Sequence, residues 1–230
     1  MARAAATLSA SAAACGRLVG RYSRFVVSSP QSEMRIETPL PRAPVVWIAW
    51  HEANLITVAS HERTRRGAAI AFVPPGLTGI IMRGWLEELG ATPVLLAPGA
   101  RRGLGLRQME AALSAGKDVL IAVDGPRGPR HHVAPGAIWL AHATGAEMRP
   151  VGCAASPSLR LPRWDKLIVP LPGARTVIVM GAAWSFAGIE RGLGQASEHL
   201  SSVLHDLTLN ARAAVQAVHG LKPEEASPWP

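Results

Sequence analysis

The chain has 230 residues, enough for one large domain or two small ones with a full hydrophobic core. Hydrophobic residues make up 48% and charged residues only 17%, which excludes an intrinsically disordered chain. The net charge of +8 favours anionic partners: phosphorylated ligands, anionic lipid surfaces or nucleic acid.

The sequence shows no clear targeting signal and no cysteine motif. The Ala- and Ser-rich residues 1–14 lack a strong apolar centre, so a cleaved signal peptide is not expected. No 18 consecutive apolar residues occur, so no membrane-spanning segment is expected. Cys15 and Cys153 belong to no Cys-x-x-Cys pair and have no histidines at zinc-site spacing, which predicts two free thiols and no metal site.

The first predicted element is a basic amphipathic helix that begins near Cys15. Its basic residues recur at i, i+4 and i+7 and share one face: Arg17, Arg21 and Arg24. Apolar side chains occupy the adjoining face: Leu18, Tyr22 and Phe25. Such a helix either lies in a membrane interface or packs its apolar side on the domain, and the sequence leaves both alternatives open.

Strands then alternate with helices. Apolar runs predict five strands, at residues 44–50, 67–73, 92–97, 118–123 and 148–156. Helical patterns fall between them, at residues 51–66, 77–90, 104–116 and 136–145. This alternation predicts βαβ units, and hence an α/β fold with a mostly parallel central sheet and helices on both faces. Residues 158–181 are expected to form short strands separated by turns, and residues 193–220 a final helix.

Polar side chains follow three of the predicted strands directly. They are His51 after the first strand, Arg101 and Arg102 after the third, and Asp124, Arg127 and Arg130 after the fourth. In open α/β sheets, ligands bind at the carboxyl ends of the strands. The sequence therefore predicts a site at this edge, where His51 could act as a general base near neutral pH.

The segment VDGPRGPRHHVAPG, residues 123–136, combines rigidity with positive charge. Arg127 and Arg130 can each bind a phosphate bidentately, and the prolines reduce the entropy lost on binding. The amides of Gly125 and Gly128 could donate to the same anion. On this reasoning Asp124 orients Arg127 by an ion pair, although the segment could also be only a tight turn with solvated arginines. Aromatic residues are 5% of the chain and form no basic–aromatic platform, so nucleic-acid binding is not expected.

Three segments together resemble a known family: AWHEANL, AVDGPRGPRHHVAPGAIWLAHATGAEMRPVGCAAS and RWDKLIVPLPGARTVIVMG. They are similar to the bacterial lysophospholipid acyltransferase-like proteins that carry an Asp-Gly-Pro-Arg-Gly-Pro loop, within the glycerolipid acyltransferase superfamily. The resemblance covers about residues 45–184 and implies a glycerolipid-acyltransferase-like fold.

The resemblance also implies roles for individual residues. His51 would deprotonate an acceptor hydroxyl, which then attacks an acyl thioester. The phosphate of the acceptor would be gripped by the loop residues Asp124, Gly125, Pro126 and Arg127. Pro150 matches a motif proline whose role is expected to be structural.

Three places depart from the pattern of the resembling proteins, one of them the Asp-Gly expected after the second strand, where this chain reads PPGLTG. The acid that orients the histidine is expected five residues after it, where this chain has Ile56, and Glu52 is a candidate substitute. The arginine motif after the third strand is also missing, and Arg101 or Arg102 could fill the same space. A carboxylate within about 3.2 Å of a ring nitrogen of His51 would restore the pair and favour an enzyme.

The expected organisation is an amphipathic segment over 1–40, an acyltransferase-like domain over 41–220 and a loose tail over 221–230. The expected function is transfer of a fatty acyl group from acyl-CoA or acyl carrier protein to a hydroxyl of a (lyso)phospholipid-type or other lipid acceptor. This chemistry needs no metal or redox cofactor. The expected location is cytoplasmic and peripheral, on the anionic inner face of the cell membrane. The alternative is a non-catalytic phospholipid- or anion-binding protein on the same fold.

Overall fold

The computed structural model describes residues 2–64, 67–95, 102–185 and 192–219, except for the side chains of 2–5, 102–104 and 218–219. Its helices are α1 (Ala2–Val27), α2 (Asn54–Thr64), α3 (Gly76–Glu88), α4 (Arg102–Ser114), α5 (Gly136–Thr144) and α6 (Leu193–His219). A 3₁₀ turn at His51–Ala53 leads into α2. The strands are β1 (Ser32–Ile36), β2 (Val45–Ala49), β3 (Ala69–Val73), β4 (Ala91–Leu95), β5 (Asp118–Ala122), β6 (Glu147–Arg160) and β7 (Ile168–Met180).

The seven strands form one sheet in the order β1-β7-β6-β2-β5-β3-β4. Strands β2 to β6 are parallel to one another, while β7 is antiparallel to β6 and β1 is parallel to β7. The predicted α/β fold with a mostly parallel sheet is therefore confirmed. The acyltransferase-like type of that fold stays a prediction.

Helices cover both faces of the sheet because side chains of a buried strand alternate between them. Val45, Trp47 and Ala49 of β2 pack in a core with α1, α2 and α3. Val46 and Ile48 point the other way, into a core with α4, α5 and α6. A parallel strand buried on both faces reads as a continuous apolar run, which is why β2 was predictable from its sequence.

The N-terminal helix packs on the domain through its small residues. A Cβ atom added to Gly16 would stand 2.0 Å from the carbonyl oxygen of Ile81, and one added to Gly84 would stand 2.4 Å from that of Ala13. The backbones of α1 and α3 are therefore in direct contact. Of the predicted apolar face, Leu18 and Phe25 remain 64% and 61% exposed, whereas the Tyr22 hydroxyl donates to the carbonyl of Pro170 in β7.

The segment between α1 and β2 contains β1, an edge strand that the sequence did not predict. Residues 32–36 pair in parallel with residues 176–180 of β7. The segment predicted to be separate, 1–40, thus contributes a strand to the central sheet. The predicted tail, 221–230, lies outside the described residues.

The strands β6 and β7 are longer than the short strands predicted for residues 158–181. They have 14 and 13 residues and form an antiparallel arm. Prolines and glycines in this region suggested breaks, but a register shift beside Pro157 and a positive φ of 78° at Gly173 accommodate them within the strands. Because β6 runs parallel to β2, its continuation beyond Pro150 carries the arm to the carboxyl edge of the sheet.

Candidate functional site

The candidate site lies where β2 and β5 end side by side. These strands are parallel neighbours, and Ala49 of β2 is in register with Ala122 of β5. His51 and Asp124 each follow their strand by two residues, so the register places them opposite each other at the carboxyl edge. This is the edge at which open α/β sheets bind ligands.

His51 and Asp124 form a hydrogen-bonded pair. The Oδ1 atom of Asp124 is 2.7 Å from Nδ1 of His51 and also accepts the backbone N–H of His51 at 3.0 Å. Its other oxygen accepts the backbone N–H of His131 at 3.4 Å. An Nδ1–H that donates to the carboxylate leaves Nε2 as the ring nitrogen with a free lone pair.

The burial of the two partners differs in a way that suits a base and its orienter. The Asp124 side chain is fully buried, whereas the His51 side chain is 19% exposed. This arrangement differs from the predictions for Asp124, which were an ion pair with Arg127 and a part in gripping phosphate. The physical reason is that both carboxylate oxygens face inward and accept hydrogen bonds from histidine residues.

The loop after β5 owes its shape to two glycines. Gly125 and Gly128 have φ values of 71° and 76°, in the left-handed region that favours glycine. Between them, Arg127 is exposed. Among the described residues, no carboxylate forms an ion pair with Arg127, so its guanidinium is accessible from solvent.

Glu52, the candidate substitute acid, does not face the ring of His51. Its side chain is 1% exposed and lies within reach of three guanidiniums and one imidazole: those of Arg130, Arg160, Arg212 and His131. Arg160 contacts it at 3.0 Å and Arg212 at 3.2 Å. Glu52 thus joins the loop after β5, the β6 end of the arm and helix α6. The carboxylate hydrogen-bonded to His51 is that of Asp124.

The Glu52 cluster has an excess of positive charge. Burial by itself raises the pKa of Glu52, but the combined hydrogen-bond and charge interactions with His131 and Arg130 outweigh burial and lower the pKa to about 2. Glu52 is therefore ionised at neutral pH. The three guanidiniums still exceed it by two charges, so this cluster, which adjoins His51 in the chain, is electropositive.

The remaining predicted residues lie outside this pair. Ile56, at the position of the expected acid, is a core residue of α2. Pro150 lies in β6 beside Ile48, and its carbonyl accepts the backbone N–H of Gly181, a structural role. Arg101 lies outside the described residues, as does the side chain of Arg102, the first residue of α4.

A second histidine–aspartate pair occupies the opposite edge of the sheet. Nε2 of His61 is 2.8 Å from Oδ2 of Asp118, which also accepts the indole N–H of Trp47 at 3.0 Å. The His61 side chain is only 4% exposed, so a substrate cannot reach it. Of the two paired histidines, His51 is the one that is accessible from solvent.

Sequence reasoning missed three residues that surround the site: Trp164, Arg160 and Arg212. The ring centroids of Trp164 and His51 are 5.0 Å apart at an interplanar angle of 62°.

Over the described residues, no group of three or more His, Cys, Asp or Glu side chains has the arrangement of a metal site. No described helix is long and apolar enough to cross a membrane.

Comparison with known proteins finds a distant similarity. No family model matches the chain. An uncharacterized protein of Rickettsia prowazekii (strain Madrid E) is 27% identical over 138 residues, which is 60% of this chain and 62% of that protein. The chain thus matches about three fifths of the length of this relative.

Proposed function

We propose that the protein is an acyltransferase that moves a fatty acyl group from acyl-CoA or acyl carrier protein to a hydroxyl of a lipid acceptor. The observation that carries the proposal is the 2.7 Å contact between Nδ1 of His51 and a fully buried Asp124 at the ligand-binding edge of the sheet. A histidine held in one tautomer by a carboxylate is the usual means of activating a hydroxyl for acyl transfer.

The reaction follows from the tautomer. Nε2 of His51 removes the proton of the acceptor hydroxyl as the oxygen attacks the thioester carbonyl carbon. Asp124 stabilises the resulting imidazolium through Nδ1–H. When the tetrahedral intermediate collapses, the C–S bond breaks, and the thiolate takes the proton back from Nε2. The products are an ester and a free thiol.

The acceptor phosphate is assigned to the cationic side of the site. Arg127 supplies an exposed guanidinium three residues after the orienting Asp124. Arg130 is held by Glu52, so it contributes charge from a fixed position. The amides of Gly125 and Gly128 are proposed as further donors to the phosphate.

A radiochemical assay with matched variants tests this function. The full chain is incubated with radiolabelled palmitoyl-CoA or palmitoyl-acyl carrier protein and lysophospholipids in mixed micelles, and labelled phospholipid is counted. His51→Gln is expected to lower kcat/KM by about 10²- to 10⁴-fold. His132→Gln, which removes an exposed histidine of the same loop, should retain full activity.

The same assay separates the enzyme from the alternative function. Arg127→Gln should raise KM for a phosphorylated acceptor, whereas Arg107→Gln, at an exposed position of α4, should not. Transfer that survives His51→Gln at the wild-type rate contradicts the mechanism. Binding of phospholipid that depends on Arg127, with no labelled product under any condition, would instead identify a non-catalytic lipid-binding protein.

Peripheral contact with an anionic membrane belongs to the same proposal and is supported by α1. Its outward face exposes Leu18 and Phe25, at 64% and 61%, beside the exposed Arg21. The double variant Leu18→Glu/Phe25→Glu should lose co-sedimentation with vesicles rich in phosphatidylglycerol. Leu209→Glu, at an exposed leucine of α6, is the control and should bind normally. Equal binding by all forms would exclude α1 as the contact.

A further inference from the structure

The tip of the β6–β7 arm lies against the candidate base. Trp164 sits in the loop between these strands, and its ring meets that of His51 in a T-shaped contact with centroids 5.0 Å apart. The loop is closed by its own hydrogen bonds, such as Leu161 N–H to the Leu167 carbonyl at 3.1 Å and Lys166 N–H to the Arg163 carbonyl at 3.1 Å. The indole is therefore presented from an ordered segment.

Trp164 also contacts the cationic loop. A Cβ atom added to Gly128 would stand 3.0 Å from Cε3 of Trp164, so the absence of a side chain at Gly128 leaves the space that the indole occupies. One side chain thus contacts both His51 and the segment that bears Arg127. These two halves of the site come from different strands of the sheet.

Asp124 alone does not fix the His51 ring. The hydrogen bond at Nδ1 anchors one edge of the imidazole, and the ring remains 19% exposed. Rotation of the ring would break this bond and present a carbon atom in place of Nε2. A T-shaped aromatic contact opposes such rotation, because edge-to-face pairs contribute stabilisation beyond their buried area.

The chain uses the same combination at its second histidine. The rings of Trp47 and His61 are 5.1 Å apart at 89°, and Asp118 accepts hydrogen bonds from both. There the trio is buried, and it locks a histidine that has no access to a substrate. At the carboxyl edge the tryptophan is Trp164 of the arm, and His51 remains accessible from solvent.

We propose that Trp164 is a positioning residue of this site, which holds the His51 imidazole in the orientation that pairs Nδ1 with Asp124 and leaves Nε2 for the acceptor hydroxyl. The consequence for turnover rests on the proposed acyltransferase function. The orientation of the ring does not, so it can be measured separately.

The ring ¹⁵N signals of His51 test the orientation directly. In full-length protein with ¹⁵N-labelled histidine, loss of signals in His51→Gln assigns them. At a pH where the imidazole is neutral, wild type should show a single tautomer, with the proton on Nδ1. Trp164→Ala and Trp164→Leu should show averaging between tautomers, and Trp164→Phe should restore the wild-type pattern. Trp139→Ala, which removes the half-exposed tryptophan of α5, is the matched control and should not change the signals.

Turnover supplies the second measurement. Trp164→Ala should lower kcat by about 3- to 10-fold with KM unchanged, and Trp164→Phe should recover most of the loss. A wild-type tautomer pattern in both Trp164→Ala and Trp164→Leu overturns the proposal, whatever the activity. If wild type transfers no acyl group, the proposed function fails, but the ¹⁵N signals still decide the role of Trp164.

Discussion

Glu52 should make the stability of the protein depend on pH in a defined interval. The perturbation is Glu52→Gln, which keeps the shape of the side chain and removes the charge that three guanidiniums share. The pKa of Glu52 is about 2 in the fold, against an ordinary 4.5. Each pKa unit corresponds to about 1.4 kcal/mol, so the ionised carboxylate contributes about 3 kcal/mol to the free energy of unfolding.

The sign follows from the lowered pKa. Above pH 4.5 Glu52 is ionised in both the folded and the unfolded chain, and its full contribution is present. Between pH 4.5 and about 2, Glu52 is protonated in the unfolded chain but still ionised in the folded chain. The contribution of Glu52 to the free energy of unfolding is therefore lost as the pH falls. The difference in free energy of unfolding between wild type and Glu52→Gln should therefore shrink over this interval.

Urea unfolding followed by circular dichroism, repeated from pH 7 to pH 2.5, measures this difference. Other carboxyl groups titrate in the same range, but they do so in both proteins and cancel in the comparison. Glu87→Gln, at an exposed glutamate of α3, is the control and should follow wild type at every pH. A Glu52→Gln protein as stable as wild type at pH 7, or a difference that stays constant down to pH 2.5, would refute the reasoning.

Two further predictions concern packing and the thiols. Gly84→Val should destabilise the protein by about 1–3 kcal/mol, because the added carbons meet the backbone of α1. Gly136→Ala is the control and should be neutral, because the space at its Cβ position is open. Thermal unfolding measures the stability of both variants. In the native protein, a maleimide should label the exposed Cys15 but not Cys153, because burial raises the pKa of the Cys153 thiol to about 12. Unfolding in urea should make both thiols react. Rapid labelling of Cys153 in the native protein would contradict its burial.

The two predicted strands that meet at the site are largely buried. The strands β2 and β5 are continuous apolar runs, and Gly90, Gly116 and Gly145 end helical patterns with φ values of 76°, 79° and 67°. Such local signals do not depend on the rest of the chain. The edge strand β1, with the sequence SEMRI, is half exposed and polar, so it has no apolar run from which a strand could be predicted.

Which side chains contact one another in the site could not be predicted from local sequence patterns, because the contacting residues are far apart in the chain. His51 and the loop at Asp124 were predictable as strand-end residues, but their pairing depends on β2 lying beside β5, with β3 and β4 beyond it. Arg212 reaches Glu52 from a helix 160 residues later in the chain. The sequence motif that contains Trp164 was visible, yet its contact with His51 requires the length and direction of the arm.

The carboxylate that pairs with His51 comes from Asp124 and not from position 56. An acid five residues after His51 would be held by the helix that follows the histidine, whereas Asp124 is held by the register of two strands. Because Asp124 also accepts the backbone N–H of His51, it holds the strand end as well as one edge of the ring. Position 56 is then free to fill the core beneath the site, where Ile56 is 1% exposed. The pair therefore depends on the pairing of β2 with β5, and a substitution that shifts this register by one residue separates base from acid while both side chains remain.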